Sequence, residues 1–321
     1  VIERDTHIKG ERNAGYRLTG EYLQSGHRRQ KPTCPHLKRK LAEVLARFKR
    51  EQDERRKPIH DKLHEIQQRL TIRADDAAAI IAKMDTVKAR FIQGILVENI
   101  RRRRMTHSVC STGRFFNAIT GLSRQLRPAL RLDGEPLASV DLRCCQPSLL
   151  SAIVTGKTPP MAGMGVATYQ VLPGSSVSPS NQRLYEQCSQ GVFFEEFSHE
   201  CGVSRDFAKQ RFIIDVLAKK GSYRSHVQDV FSALYPDAAK FILSVNRGKD
   251  NHGKLICLLQ RLESWLVVEQ VAPLLVDSVP IVTLHDAVFC KQSDIEAVRA
   301  AFDRTFEQVG FSMQLKTEFH S

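Results

Sequence analysis

Apolar residues recur at three- and four-residue spacing through most of this chain, and only a few short runs read as strands. Leu37, Leu41, Val44, Leu45 and Phe48 follow the helical period with Lys38, Arg39, Lys40, Arg47, Lys49 and Arg50 among them, which predicts a basic amphipathic helix. Pro58 breaks or restarts it, and Ile59, Leu63, Ile66 and Leu70 continue the period. Asp75 and Asp76 read as a further helix start, followed by Ile80, Ile81, Met84, Val87, Phe91 and Ile95. Later helical patterns cover 181–198, 205–217, 227–243, 255–275 and 295–309. Strands are expected at 137–141, launched by the turn residues Asp133, Gly134, Glu135 and Pro136, at 281–284, and near 312–318. Residues 1–35 show no clear period and read as a polar arm, and 155–180, dense in Gly, Pro and Ser, as a loop or insertion. There is no internal repeat. Helical blocks interrupted by a few strands predict an α/β (α+β) fold.

Two of the strand runs lead to an aspartate: LASVD ends at Asp141 and PIVTLHD at Asp286. Between them Ser204 opens a helical pattern in which Arg205 and Lys209, four residues apart, share one face. Each feature alone is ordinary. An isolated Asp after a strand is usually a turn or cap residue, and an isolated R-x3-K is usually a solvated face. In this order they are the components of a metal-dependent nucleotidyl transferase. Two carboxylates on adjacent strands can bridge two divalent cations ~4 Å apart. Two cationic side chains on one helix face can grip a triphosphate and donate a proton to departing pyrophosphate.

Charge sharpens this picture. The 321 residues carry a net charge of +13, and residues 1–110 hold 26 Lys/Arg against 14 Asp/Glu while the rest hold 22 against 21. A basic first third beside a near-neutral remainder points to a polyanion, with nucleic acid the leading candidate. The run Arg101, Arg102, Arg103 and Arg104, just ahead of the chemical motifs, reads as a phosphate-contacting edge. The eight cysteines include the adjacent Cys144 and Cys145 but no CxxC, which fits a reducing compartment without disulfides. Cys34, His36, His60 and His64 match no common zinc spacing, and no metal is assigned there. No apolar stretch reaches the ~18 residues of a spanning helix, so a soluble, cytoplasmic protein without a membrane partner is expected.

The order and wording of these segments resemble the family A DNA polymerases. Thr112-Gly113-Arg114 is similar to that family's TGR signature, and Val140-Asp141-Leu142-Arg143-Cys144-Cys145-Gln146 to its motif A. Arg205-x3-Lys209 is similar to motif B and Leu284-His285-Asp286 to motif C, with lesser echoes in 190–195 and in Gln260 with Glu263. The resemblance covers roughly residues 110–321, and four motifs in the right order are fairly specific. It implies a right-hand palm with mainly helical thumb and fingers: a basic arm at 1–36, a thumb-like helical region at 37–105, palm at 106–154, fingers at 155–245 and palm again at 246–321. It also implies that Asp141 and Asp286 bind two Mg2+ ions, for which Mn2+ can substitute, and that Arg205 and Lys209 contact the incoming nucleoside triphosphate. Arg114 and Gln260 would touch the primer-template, and His285 would lie near the primer terminus. Nothing resembles the family's proofreading or 5′-nuclease domains, so editing is not expected.

The chain departs from the family at three places. Ala287 stands where motif C of the cellular enzymes has a second acid, and Ile213 where motif B has an aromatic residue. Gln146, five residues after Asp141, stands where DNA-making members have a glutamate and phage RNA polymerases a glycine. A bulky Gln there favours deoxynucleotides, weakly, with its amide able to donate to a 2′-hydroxyl. The expectation is a compact DNA polymerase of phage or mobile-element type. The alternatives are an RNA- or primer-synthesising enzyme on the same palm, and a non-catalytic nucleic-acid-binding protein on a decayed one.

Overall fold

The computed structural model describes residues 2–4, 16–18, 33–157, 177–218, 224–248 and 251–320. Most of the arm expected at 1–36 and of the insertion expected at 155–180 lies outside the described residues. The chain divides into two units, residues 1–51 and 52–321. In the first, β1 (Ile2–Arg4) pairs antiparallel with β2 (Tyr16–Leu18), and helix α1 (Pro35–Arg55) begins. Its five apolar residues from Leu37 to Phe48 are all exposed.

The second unit is a mixed α/β fold around a six-stranded antiparallel sheet. After α2 (Pro58–Gln67) comes the edge strand β3 (Leu70–Ile72), then α3 (Ala74–Ala82), α4 (Val87–Arg101) and the short hairpin β4 (Ser108–Val109) with β5 (Phe115–Phe116). β6 (Leu130–Leu132) joins β3 to β7 (Glu135–Leu142), the longest strand. Beyond it, β8 (Val282–Leu284) and β9 (Ala287–Lys291) form a hairpin on one side of β7, and β10 (Leu315–His320) lies along its other side. Because side chains alternate across a pleated strand, Ala138, Val140 and Leu142 of β7 enter one apolar cluster together with Val288 and Cys290. Leu137 enters a second cluster with Phe289, Val282 and Leu284. Asp141 shares the face of Leu137 and Ser139, at the end of the strand where the packed core stops.

The α-helices among the described residues between β7 and β8 are α5 (Cys145–Val154), α6 (Pro179–Ser189), α7 (Phe193–Glu200), α8 (Arg205–Arg211), which runs on as a π-helical turn (Phe212–Leu217), α9 (His226–Leu234), α10 (Pro236–Val245) and α11 (Lys254–Ser264). α12 (Ile295–Val309) follows the hairpin and packs on β7 and β9. Among the described residues, no helix is long and apolar enough to cross a membrane.

Several predicted segments are cut differently, each for a local reason. The helical period read through Leu70 ends at Gln67, because Leu70 and Ile72 alternate with exposed Thr71 and pair with Leu132 and Leu130. The single helix expected from Asp75 to Ile95 is two, with Thr86 capping the second through Ala89 N. Pro236 forces Tyr235 out of the helical region (φ −131°, ψ 65°) and splits the 227–243 pattern. The 255–275 pattern continues past α11 as a π-helical turn, Trp265–Val271, and a short 3-10 turn. Gly191 splits the 181–198 pattern at φ 71°. A Cβ there would lie 2.9 Å from Cβ of Gln314, whose carbonyl accepts from Arg143 N at 2.8 Å. Gly191→Ala should therefore cost about 1–3 kcal/mol of stability; a shift of the urea midpoint to lower concentration checks this.

Candidate active site

Two adjacent strand ends bring the aspartates into one cavity. Asp141 is the cross-strand partner of Ala287, and Leu142 N donates to the carbonyl of Asp286 at 3.1 Å. Asp286 occupies the two-residue turn between β8 and β9, with His285 at φ 55°, the positive dihedral that so tight a hairpin requires. Just beyond the end of β7, Cys144 at φ 53° turns the chain into α5 and sets Gln146 in its first turn. The cavity these elements enclose measures about 770 Å³, and Arg114, Gln146, Arg205, Lys209, His285 and both aspartates line it.

The electrostatics of the pair follow from its burial. Asp141 is pushed up to about 7, first by burial and then by the charge of Asp286, against the pull of Lys209. Asp286 is also raised by burial, with Lys209 and Arg114 opposing. Oδ1 of Asp141 is buried without a hydrogen-bond partner. Two carboxylates held together in this way disfavour their shared negative charge and would gain from a cation between them. Among the described residues, no group of three or more His, Cys, Asp or Glu side chains is arranged to hold a metal ion.

Cationic side chains approach from two sides. α8 carries Arg205 and Lys209 on the face turned to the cavity, with Ser204 capping the helix through Phe207 N. Arg205 Nε and Arg143 Nη2 each lie 3.0 Å from the same oxygen of Glu195. From the sheet side, Lys316 of β10 is paired directly opposite Asp141. Glu318, two residues on, accepts from Lys316 and from Arg124 Nη2 at 2.7 Å. Arg127 lies beside them, its guanidinium 5.2 Å from the ring centroid of Phe289.

Lining the cavity from the last turn of α11 is Glu263, 2% exposed. Arg114 donates to both of its oxygens, Nε to Oε1 at 2.8 Å and Nη2 to Oε2 at 2.9 Å. Gln146 Nε2 donates to Oε2 at 2.7 Å. Burial raises Glu263 to about 7 against the pull of Arg114, and the charge of Asp286 adds to the rise. His285 is lowered by burial and by Arg114, and its Nδ1 is buried without a partner.

Not every expected site residue gathers here. Gln260 is half-buried on α11 and does not line the cavity. Arg101, Arg102, Arg103 and Arg104 are exposed at the end of α4 and also lie outside it: Arg101 and Arg102 pair with Glu98, and Arg103 Nη1 donates to the carbonyl of Gln68 at 2.8 Å. Arg114, expected on the primer-template, has two of its three nitrogens taken by Glu263. Conversely, the cavity uses Arg143, Glu195, Arg124, Arg127, Lys316 and Glu318, none of which the sequence singled out for a role. Arg143 lies inside the motif-A segment and Glu195 at the end of the 190–195 echo, and a further available signal was the charged alternation Lys316, Glu318 on a predicted strand. Ile213, at the position of the missing aromatic residue, lines the cavity as well.

No protein-family model matches the sequence, and no curated protein matches it. Among solved structures the chain is similar to the POL domain of Pol1 from M. smegmatis in complex with DNA primer-template and dNTP. The TM-score is 0.38 at 9% identity, over 72% of this chain and 52% of that one. The chain thus spans about half the length of that relative. A likeness at this level decides nothing about chemistry, which has to come from the cavity's own residues.

Proposed function

We propose that this chain is a template-directed nucleotidyl transferase, a small DNA polymerase of family A type, with residues 106–154 and 246–321 as its palm, the region 155–245 as fingers and the helical region 37–105 as thumb. One observation carries the reading: two half-buried aspartates, both raised by burial and Asp141 also by the charge of Asp286, share a cavity with an Arg and a Lys on one helix face. That set suits a reaction in which phosphate charge is gathered against carboxylate-held cations.

The donor set fits Mg2+. Asp141 and Asp286 supply hard oxygen ligands, Oδ1 of Asp141 lacks a partner, and Mg2+ characteristically completes its shell with water and substrate phosphates rather than an all-protein cage. When bound, the cation pair neutralises developing charge on the transferring phosphoryl group and eases deprotonation of the primer 3′-hydroxyl. The chain's own residues do the rest. Lys209 and Arg205 bind the triphosphate, and Lys209 is placed to donate a proton to the departing pyrophosphate. Glu195 holds Arg205 and Arg143 until phosphate oxygens replace it. Arg114 keeps Nη1 for the primer-template, His285 lies toward the primer terminus, and the exposed Arg101 to Arg104 together with the half-buried Gln260 extend the nucleic-acid surface. A second reading, synthesis of RNA or of primers on the same site, is favoured by one contact: the amide donor of Gln146 is already taken by Glu263.

Primer extension on DNA and RNA templates, with deoxy- and ribonucleotides in parallel, tests the proposal; no extension with any combination would sink it. Lys209→Ala should lower kcat at least tenfold, because it loses a contact that strengthens as the leaving group gains charge. Arg205→Ala should mainly raise KM, because its contact is made to bound and reacting triphosphate alike. Steady-state single-nucleotide extension separates the two.

A further inference from the structure

Three charged side chains on the α8 side of the cavity meet at one atom. Oε1 of Glu195, in the first turn of α7, lies 3.0 Å from Nη2 of Arg143 and 3.0 Å from Nε of Arg205. The two guanidinium groups come from separate pieces of chain. Arg143 stands in the link between β7 and α5, where its backbone N donates to the carbonyl of Gln314 at 2.8 Å, and Arg205 opens α8. Burial would raise the Glu195 carboxyl, but hydrogen bonds from its own backbone N–H and from Arg205, with the charges of Arg205 and Arg143, outweigh it and hold the group below the usual carboxylate range. One ionised oxygen thus serves two arginines.

Unlike the Arg114 and Glu263 pair, whose side chains are 19% and 2% exposed, this cluster is open to water: Arg143, Glu195 and Arg205 are 39%, 41% and 42% exposed. Ion pairs so exposed are weak, so an anion entering the cavity can take the place of the carboxylate. A terminal phosphate is the better partner. It carries a charge of about −1.5 to −2 at neutral pH and three acceptor oxygens, enough to meet both guanidinium forks at once, whereas Glu195 offers them a single shared atom. An internal phosphodiester has one charge and two free oxygens, no more than the carboxylate it would displace.

We infer that Arg143 and Arg205 together form a binding site for the terminal phosphate of a nucleoside triphosphate, and that Glu195 is its displaceable counter-anion. The site so read rests on the nucleotidyl transfer proposed above. It makes Arg143 a substrate-binding residue and gives Glu195 a part after the reaction as well as before it. Pyrophosphate leaves with the same terminal phosphate, so an anion site that binds substrate tightly also retains product. Glu195 is tethered beside both guanidinium groups and competes at a fixed high local concentration. It therefore weakens triphosphate binding and, by recapturing the two arginines, speeds release of pyrophosphate.

The test uses the full chain in Mg2+ and titrates three probes separately: inorganic tripolyphosphate, pyrophosphate, and a short oligodeoxynucleotide without terminal phosphates. Glu195→Gln keeps the shape and one acceptor oxygen but removes the competing charge. It should bind tripolyphosphate and pyrophosphate about tenfold tighter, the scale of two exposed ion pairs, and the oligonucleotide within about twofold of wild type. Arg143→Gln should weaken tripolyphosphate about tenfold. In single-nucleotide extension, Glu195→Gln should lower KM and the inhibition constant of pyrophosphate by similar factors without raising kcat. Unchanged or weaker tripolyphosphate binding in a Glu195→Gln protein of wild-type Tm would assign Glu195 to the fold alone and overturn the inference. Equal tightening for the oligonucleotide would hand the site to nucleic-acid backbone and overturn it too. Wild-type affinity in Arg143→Gln overturns it independently, and decides the matter if Glu195→Gln does not fold. Absence of extension with every template and nucleotide would defeat the polymerase reading, while the titrations, which involve no turnover, still judge the anion site by itself.

Discussion

Asp141→Asn and Asp286→Asn should each reduce nucleotide incorporation by ~10² or more while leaving primer-template binding within a few-fold of wild type, since each removes a ligand acting on transition-state charge. Extension kinetics beside a nucleic-acid binding titration measure both quantities, and a variant that still extends at near wild-type rate would exclude that aspartate from the chemistry. The same substitutions should behave oppositely in stability. Asp141 has an unfolded-state value near 3.8 and a folded value of about 7, so between those limits the folded protein keeps a proton that the unfolded chain releases. Its contribution to stability is intact at pH 4, falls as pH rises, and is lost above about 7. Without divalent cation, Asp141→Asn should thus be relatively more stable than wild type at pH 8 than at pH 4.5, as read from urea midpoints at the two values. Adding Mg2+ at pH 8 should raise the Tm of wild type and leave that of Asp141→Asn nearly unchanged.

Arg114→Ala should destabilise the fold by about 3–5 kcal/mol, because it strips the cation bonded to a nearly fully buried carboxylate. Glu263 can partly escape the penalty by binding a proton, so the loss should be smaller at pH 5.5 than at pH 8.5. Arg114→Lys should recover part of the stability but not the two-pronged geometry. Arg114→Ala combined with Glu263→Gln should be more stable than Arg114→Ala alone, because no buried charge is then left without a partner. Thermal and urea unfolding of the four proteins measure this, and equal stability of single and double variants would show that Glu263 is not the buried charge that Arg114 compensates.

Local pattern carried much of the site. The runs before Asp141 and Asp286 announce strands because β-branched residues follow turn residues, and both form strand ends in the sheet. The four-residue spacing of Arg205 and Lys209 puts them on one helix face wherever that helix packs. The identity of Gln146 and its place five residues beyond Asp141 could likewise be read directly.

What surrounds those residues was decided only by folding. Lys316 and Glu318 reach Asp141 because β10 pairs with β7 in one register, and a slip of one residue would turn both to the opposite face. Leu70 left a helix for a strand because β6 offered it backbone partners. Arg114, Gln146 and Glu263 stand 149 and 117 residues apart in their contacting pairs, and no periodicity links them. Sequence pattern determines which face of each element is apolar and which residues sit at its ends, because those depend on spacings of two to four residues. Which ends meet, which carboxylate is buried beside which cation, and therefore which way the Gln146 amide points depend on chain crossings of a hundred residues and more, and only the assembled sheet and the helices around it settle them.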